Sequence, residues 1–111
     1  MGLTKKNRLP PFAAIPKEMI FKSAAWESIS NASRVAYVHL VGKRITPNGG
    51  EIITLSFKEM ERIMDRHTFA RSISQLEAHG FIVKDQRGGL FRKRNYYRFI
   101  EQWKSFKIKR P

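Results

Sequence analysis

The chain has 111 residues and no cysteine, with 41% hydrophobic and 12% aromatic content and a net charge of +13. That is one domain's worth of chain, long enough to bury a modest core, and it excludes disulfides, cysteine-based zinc sites and general disorder. No apolar run approaches the ~18 residues of a membrane span, and the basic N-terminus lacks an apolar signal core. The expectation is a cytoplasmic protein with no membrane partner.

The charge is unevenly spread. Residues 1–22 carry a net +4, residues 23–83 a net +1 and residues 84–111 a net +8. The middle is nearly neutral and the excess sits at the ends. Such a field favours polyanions, nucleic acid first and acidic membrane second.

In chain order, residues 1–11 read as a flexible basic arm. Lys5, Lys6 and Arg8 precede Pro10 and Pro11, and nothing there builds a core. A domain spanning 12–103 follows, anchored first by Phe12, Ile15, Met19, Ile20 and Phe21. Ser23, Ala24, Ala25 and Trp26 suit a short helix, with Trp26 packed on the domain. The first long helix starts at Ser30 or Asn31, either of which caps by accepting an exposed backbone N–H, and it runs to about Lys43. Val35, Ala36, Tyr37, Val38, Leu40 and Val41 make it apolar around most of its circumference, which predicts burial on several sides. Lys43 and Arg44 suit the negative end of its dipole. His39 in this helix has no second ligand at a metal spacing. Thr46, Pro47, Asn48, Gly49 and Gly50 then form a loop.

The β-branched run 52–55 is a strand candidate. Ser56 and Glu59 in S-x-x-E spacing form a capping box, with Leu55 and Met60 placed as its hydrophobic staple. Met60, Ile63 and Met64 give this second helix an inward stripe. A third helix over 66–79 follows after a short turn, capped by Asp65. Phe69, Ile73, Leu76 and Gly80 recur at helical spacing and face the core. At about 100° per residue, the opposite face carries His67, Arg71, Ser74, Gln75 and Ala78. It is polar, small and nearly free of acid. Short polar side chains let a helix sit deep in a groove, where Arg and Gln bond bidentately to guanine and adenine edges.

Gly80 fits the left-handed position after a helix end. Phe81, Ile82 and Val83 form a strand whose partner lies at 95–99. Between them, Gly88 and Gly89 allow a reversal, and Arg87, Arg92, Lys93 and Arg94 crowd a hairpin tip. Residues 84–98 hold six basic residues and one acidic residue, a composition suited to phosphates or a minor groove. In the tail, Phe99, Trp103 and Phe106 share one helical stripe that packs back on the domain or contacts a second copy. Residues 104–111 form a basic tail.

No catalytic constellation is present. There are three histidines, no paired carboxylates at ligand spacing, and no phosphate-cradling Gly-rich loop with a lysine. The reading is of a non-enzyme with no cofactor, no metal and no small-molecule ligand.

The pattern resembles the winged helix-turn-helix superfamily, and looks closest to domains of phage and plasmid replication proteins and small bacterial regulators of the MarR type. The residues that carry the resemblance are 55–59, 68–73, 76–82, the Gly88-Gly89 hairpin and Tyr97. It implies an α+β, mainly helical fold: three core helices, a small antiparallel sheet and a basic hairpin wing. It further implies a double-stranded DNA-binding module in replication initiation or transcription regulation. Arg66, His67, Thr68, Arg71, Ser74 and Gln75 would then lie on a recognition helix in the major groove. Arg87, Arg92, Lys93 and Arg94 would lie on the wing, against the backbone or an adjacent groove. A homodimer partner or replication proteins are the further partners this class admits. The sequence carries no sensor domain, ligand pocket or long dimerisation helices of the regulator type.

Two other readings stay open. An RNA or single-strand binder would use Tyr96, Tyr97 or Trp103 as stacking platforms. A protein-interaction winged helix would serve a replication or partition assembly. On the duplex reading, Lys93→Ala should weaken binding to every sequence and lower the salt slope by about one unit. Titrations of wild type and variant at several salt concentrations check this, and an unchanged slope removes the wing from the interface.

Overall fold

The computed structural model describes residues 11–44, 52–85 and 95–107. It is an α+β structure in which helices dominate and three short strands form one antiparallel sheet.

Two short helices come first, α1 (Lys17–Lys22) and α2 (Ala24–Ser28). Ser23 joins them, its Oγ accepting the Trp26 N–H at 2.9 Å as the N-cap of α2. Of the five expected anchors, Met19 is buried and Ile15 half-buried, but Phe12 and Phe21 are 76% and 74% exposed. A helix this short offers only one face to the domain. Met19 takes it, and Phe21, about 200° further round, points away.

The next helix, α3 (Asn31–Val41), is capped by Ser30, whose Oγ accepts the Ser33 N–H at 3.1 Å. Ser33, Ala36, Tyr37, Leu40 and Val41 are buried, whereas Val35 and Val38 are 39% and 49% exposed. Burial on several sides is therefore corrected to burial on one broad side. No element among the described residues covers the outer valines.

Strand β1 (Ile53–Thr54) leads into α4 (Phe57–Met60), where the capping box forms in full. The Glu59 N–H donates to Ser56 Oγ, and the Ser56 N–H donates to Glu59 Oε2 at 2.9 Å. The helix lasts only four residues before a turn, so Ile63 is 46% exposed rather than inward. Met60 is buried and Met64 half-buried. Asp65 caps α5 (Arg66–Ala78), its Oδ1 accepting the Thr68 N–H at 2.7 Å. Phe69, Ser72, Ile73 and Leu76 are the buried face of α5. Small side chains at Ser33, Ala36 and Ser72 let α3 and α5 approach closely.

Helix α5 ends where Gly80 takes φ +83°. The Gly80 N–H donates to the Glu77 carbonyl and the Phe81 N–H to the Leu76 carbonyl, which satisfies the last turn. The chain then runs into β2 (Ile82–Asp85) and returns in β3 (Tyr96–Phe99). The order in the sheet is β1-β3-β2, with Ile82 opposite Phe99 and Ile53 opposite Tyr97. A 3-10 helix, Gln102–Ser105, closes the described chain, in place of an α-helical stripe.

The core is aromatic. Phe81 sits with ring centroids 5.3 Å from Tyr37, 6.0 Å from Trp26 and 6.3 Å from Trp103. Burial pushes the Tyr37 phenol up to about 12, against the opposing charge of Arg44. The tail does pack back: Trp103 is buried, and the Phe106 ring lies 4.6 Å from His79. His79 Nδ1 lies 2.9 Å from the Gln75 carbonyl, an acceptor only, so this nitrogen carries the hydrogen.

A Cβ on Gly80 would meet Gln102 and Trp103 backbone atoms at 2.7 Å, besides adopting a positive φ. Gly80→Ala should cost roughly 1–3 kcal/mol or more, read as a lowered urea midpoint. An unchanged midpoint would mean that the tail is not held against this turn.

Candidate nucleic-acid interface

Helix α5 is set by its buried face, and the rest of its surface divides into three parts. His67, Arg71, Ser74 and Ala78 point outward and are exposed. Arg66, Ala70 and Glu77 lie on the flank toward the sheet. Thr68 and Gln75 lie on the flank toward α3 and are half-buried. The outward strip has no acidic side chain, as expected from the sequence.

On the sheet side, α5 borders a groove of about 880 Å³. Its walls include Lys43 from just after α3, Ser56, Lys58 and Glu59 from the α4 region, Arg66, Ala70 and Ser74 from α5, and Lys84, Asn95 and Tyr97 from the sheet region. Four of these side chains are cationic. Two are tied to carboxylates: Lys43 pairs with Glu59, and Lys84 lies 3.8 Å from Glu77. Lys58, Arg66 and Arg71 have no carboxylate at ion-pair distance among the described residues. Arg66 instead lies over Phe57, its Cζ 4.4 Å from the ring centroid, which holds its guanidinium at the groove's edge. The result is a cationic rim beside an acid-free helix face.

The ten residues named from the sequence separate accordingly. Arg66, His67, Arg71 and Ser74 are exposed on one side of α5, and Arg66 and Ser74 also line the groove. Thr68 has its N–H on Asp65, and its carbonyl accepts the Ser72 Oγ–H at 2.7 Å, so its backbone is part of the helix start. Arg87, Arg92, Lys93 and Arg94 lie outside the described residues. Gln75 requires a correction. Its Oε1 accepts the Ser30 N–H at 2.8 Å and the Ser33 Oγ–H at 2.6 Å. With both lone-pair sites of the oxygen taken, the two-way bond to adenine expected of it is unavailable. An i, i+4 relation to Arg71 puts it near the outer face, but α3 captures its oxygen.

Sequence reasoning missed Lys58, Ala70, Lys84 and Asn95 at the groove. No local signal marked Lys84: period-two alternation puts it on the same face of β2 as the buried Ile82, yet it is exposed at the groove. Lys58 was visible only as the interior of the capping box. Of the proposed stacking platforms, Tyr97 and Trp103 are 2% and 5% exposed and so are core residues, while Tyr96 is half-buried. Among the described residues no three His, Cys, Asp or Glu side chains are grouped to hold a metal ion, and no helix is long and apolar enough to cross a membrane.

No protein-family model matches the chain, and no curated protein or solved structure matches it.

The carboxylates beside this rim are held in their charged form. The Lys43 ammonium and the Ser56 N–H lower Glu59 from 4.5 to about 2. The Thr68 N–H likewise lowers Asp65. Because the folded value of Glu59 is depressed, its stabilisation is complete above about pH 4.5 and is lost as pH falls through about 2. The effect is modest, since both partners are 40% exposed and water screens them. Glu59→Gln should therefore lower the melting temperature at pH 7 and lose less on acidification than wild type. Parallel melting curves for the two proteins between pH 7 and pH 2 would expose a wrong sign.

Proposed function

We propose that this chain is a winged-helix domain that binds double-stranded DNA, with α5 entering the major groove. The sequence of elements supports the winged arrangement: α3, β1, α4, α5, β2, β3, with the strands in the order β1-β3-β2. One observation carries the functional reading. The outward strip of α5 pairs small and basic side chains with no acid, and it stands beside a groove rimmed by Lys58, Arg66 and Lys84. A helix about one turn of side chains wide fits the major groove, where base edges are exposed. Cations along its flank would meet the phosphates on either side.

The mechanism divides the work. Lys58, Arg66 and the basic segments neutralise phosphates and release counterions, which makes affinity fall with salt. Arg71, exposed at the middle of the strip, is the residue placed to reach a guanine. Of the three side chains that a single-strand mode would use, Tyr97 and Trp103 are enclosed in the core, which favours the duplex.

Selection from a randomised duplex pool at two salt concentrations tests the reading. An enriched motif and a steep salt dependence are expected, and absence of duplex binding at low salt overturns the proposal. On the selected site, Arg71→Ala should cost about 1–3 kcal/mol and flatten preference at one base pair. A uniform loss on all sequences would make Arg71 a phosphate contact.

A further inference from the structure

We infer that Gln75 acts as a one-way hydrogen-bond donor at the DNA-facing surface and selects a base pair that offers acceptors, guanine before thymine, while disfavouring adenine and cytosine. The inference rests on the duplex-binding reading and adds to it the chemistry of one base position.

The orientation of the amide is settled by its neighbours. A backbone N–H only donates, so the atom that meets the Ser30 N–H at 2.8 Å is the amide oxygen and not the nitrogen. The same oxygen accepts the Ser33 Oγ–H at 2.6 Å. That hydroxyl is held in turn: Ser33 is fully buried, and its Oγ lies 3.1 Å from Ser30 Oγ, which accepts the Ser33 N–H. Rotating the amide by 180° would set its NH2 group against the Ser30 N–H, donor to donor. The oxygen therefore stays on α3.

The Nε2 group is then on the opposite side of the amide, with no acceptor among the described residues and access to water. It lies one turn of α5 beyond Arg71, on the edge of the outward strip. It presents two N–H donors and no acceptor.

An unrestrained glutamine reads adenine by donating to N7 and accepting from the N6 amino group. Gln75 cannot accept. Its NH2 would face the cytosine amino group donor to donor, and on adenine it could donate to N7 alone, leaving the N6 amino group beside it without an acceptor. Guanine offers N7 and O6, and thymine offers O4, so these edges satisfy it. The Ser30–Ser33 network thus converts a residue type associated with adenine into one that disfavours it.

The test compares motifs selected by wild type, Gln75→Glu and Gln75→Leu from a randomised duplex pool, each protein first shown to melt cooperatively. Glutamate keeps an oxygen for Ser30 and Ser33 but turns an acceptor outward. It should shift the preferred base at one position from guanine or thymine to cytosine or adenine, leaving the rest of the motif in place. Leucine removes the donor and should flatten that position, with about a tenfold loss on the wild-type site. A merely structural role would weaken all sites without exchanging one base for another. A motif that neither variant alters, or adenine enriched at a position that Gln75→Leu flattens, overturns the inference and leaves duplex binding standing. Failure of the wild type to enrich any motif overturns sequence reading altogether, and this inference with it.

Discussion

The turn at Gly80 is the constraint on which the arrangement depends. It stops α5, reverses the chain and starts β2 within two residues. Its carbonyl accepts the Trp103 N–H at 3.1 Å, and the next carbonyl, of Phe81, accepts the Ile100 N–H at 3.1 Å. The end of the chain is thereby laid against the end of α5. Phe81 enters the aromatic cluster at the same point, touching Tyr37 of α3, Trp26 of α2 and Trp103. Four segments are registered through one side chain and its two backbone neighbours. A residue with a side chain at position 80 would push the tail away and open the cluster. The angle between α5 and the sheet, and hence the groove between them, follows from this turn.

Electrostatics then decides which part of a basic surface is available. Total charge gives little guidance, because several cations are already engaged. Lys43 holds Glu59, Lys84 neighbours Glu77, Arg98 lies 3.1 Å from Asp85, and Lys104 lies 3.0 Å from Glu101. Arg34 donates to the Trp26 carbonyl and to Asn31, and so ties α2 to α3. Exposed pairs of this kind contribute little stability, but they cancel local charge. Around the acid-free strip of α5, Lys58, Arg66 and Arg71 are left without a carboxylate partner among the described residues. Their position matters more to the proposed function than the net +13 of the chain.

The polar contact between α3 and α5 bears on stability and on the proposed recognition alike. Ser30, Ser33 and Gln75 form a small network in which each buried polar group finds a partner, which low dielectric makes necessary. The same network sets the roll of α5 against α3 and fixes which edge of Gln75 faces outward. Recognition helices are commonly described by the side chains they present. Here the neighbouring helix decides what one of those side chains is able to do.

Local signals in the sequence determined most of the elements. Ser56 and Glu59, Asp65, Gly80 and the apolar period of Phe69, Ile73 and Leu76 act within a few residues, so helix starts, helix ends and the buried face of α5 were legible from them. The strands were legible from their β-branched and aromatic runs, and the return of Trp103 from its spacing. Other features were not local and could not be read. Val35 and Val38 look like core residues, yet no element among the described residues covers them. Ile63 fits a helical stripe, yet the helix ends before reaching it. Gln75 fits an outward face, yet Ser30 and Ser33, more than 40 positions earlier, bind its oxygen. The groove takes its walls from several separated stretches of chain, so Lys58 and Lys84 line it beside α5 only after folding. Sequence by itself thus determined the helix caps and the buried face of α5, because caps and periodicity are short-range, but not α1, the early end of α4 or the 3-10 form of Gln102–Ser105. Tertiary structure alone decided which faces are covered and which polar atoms remain free, because both depend on residues distant in the chain.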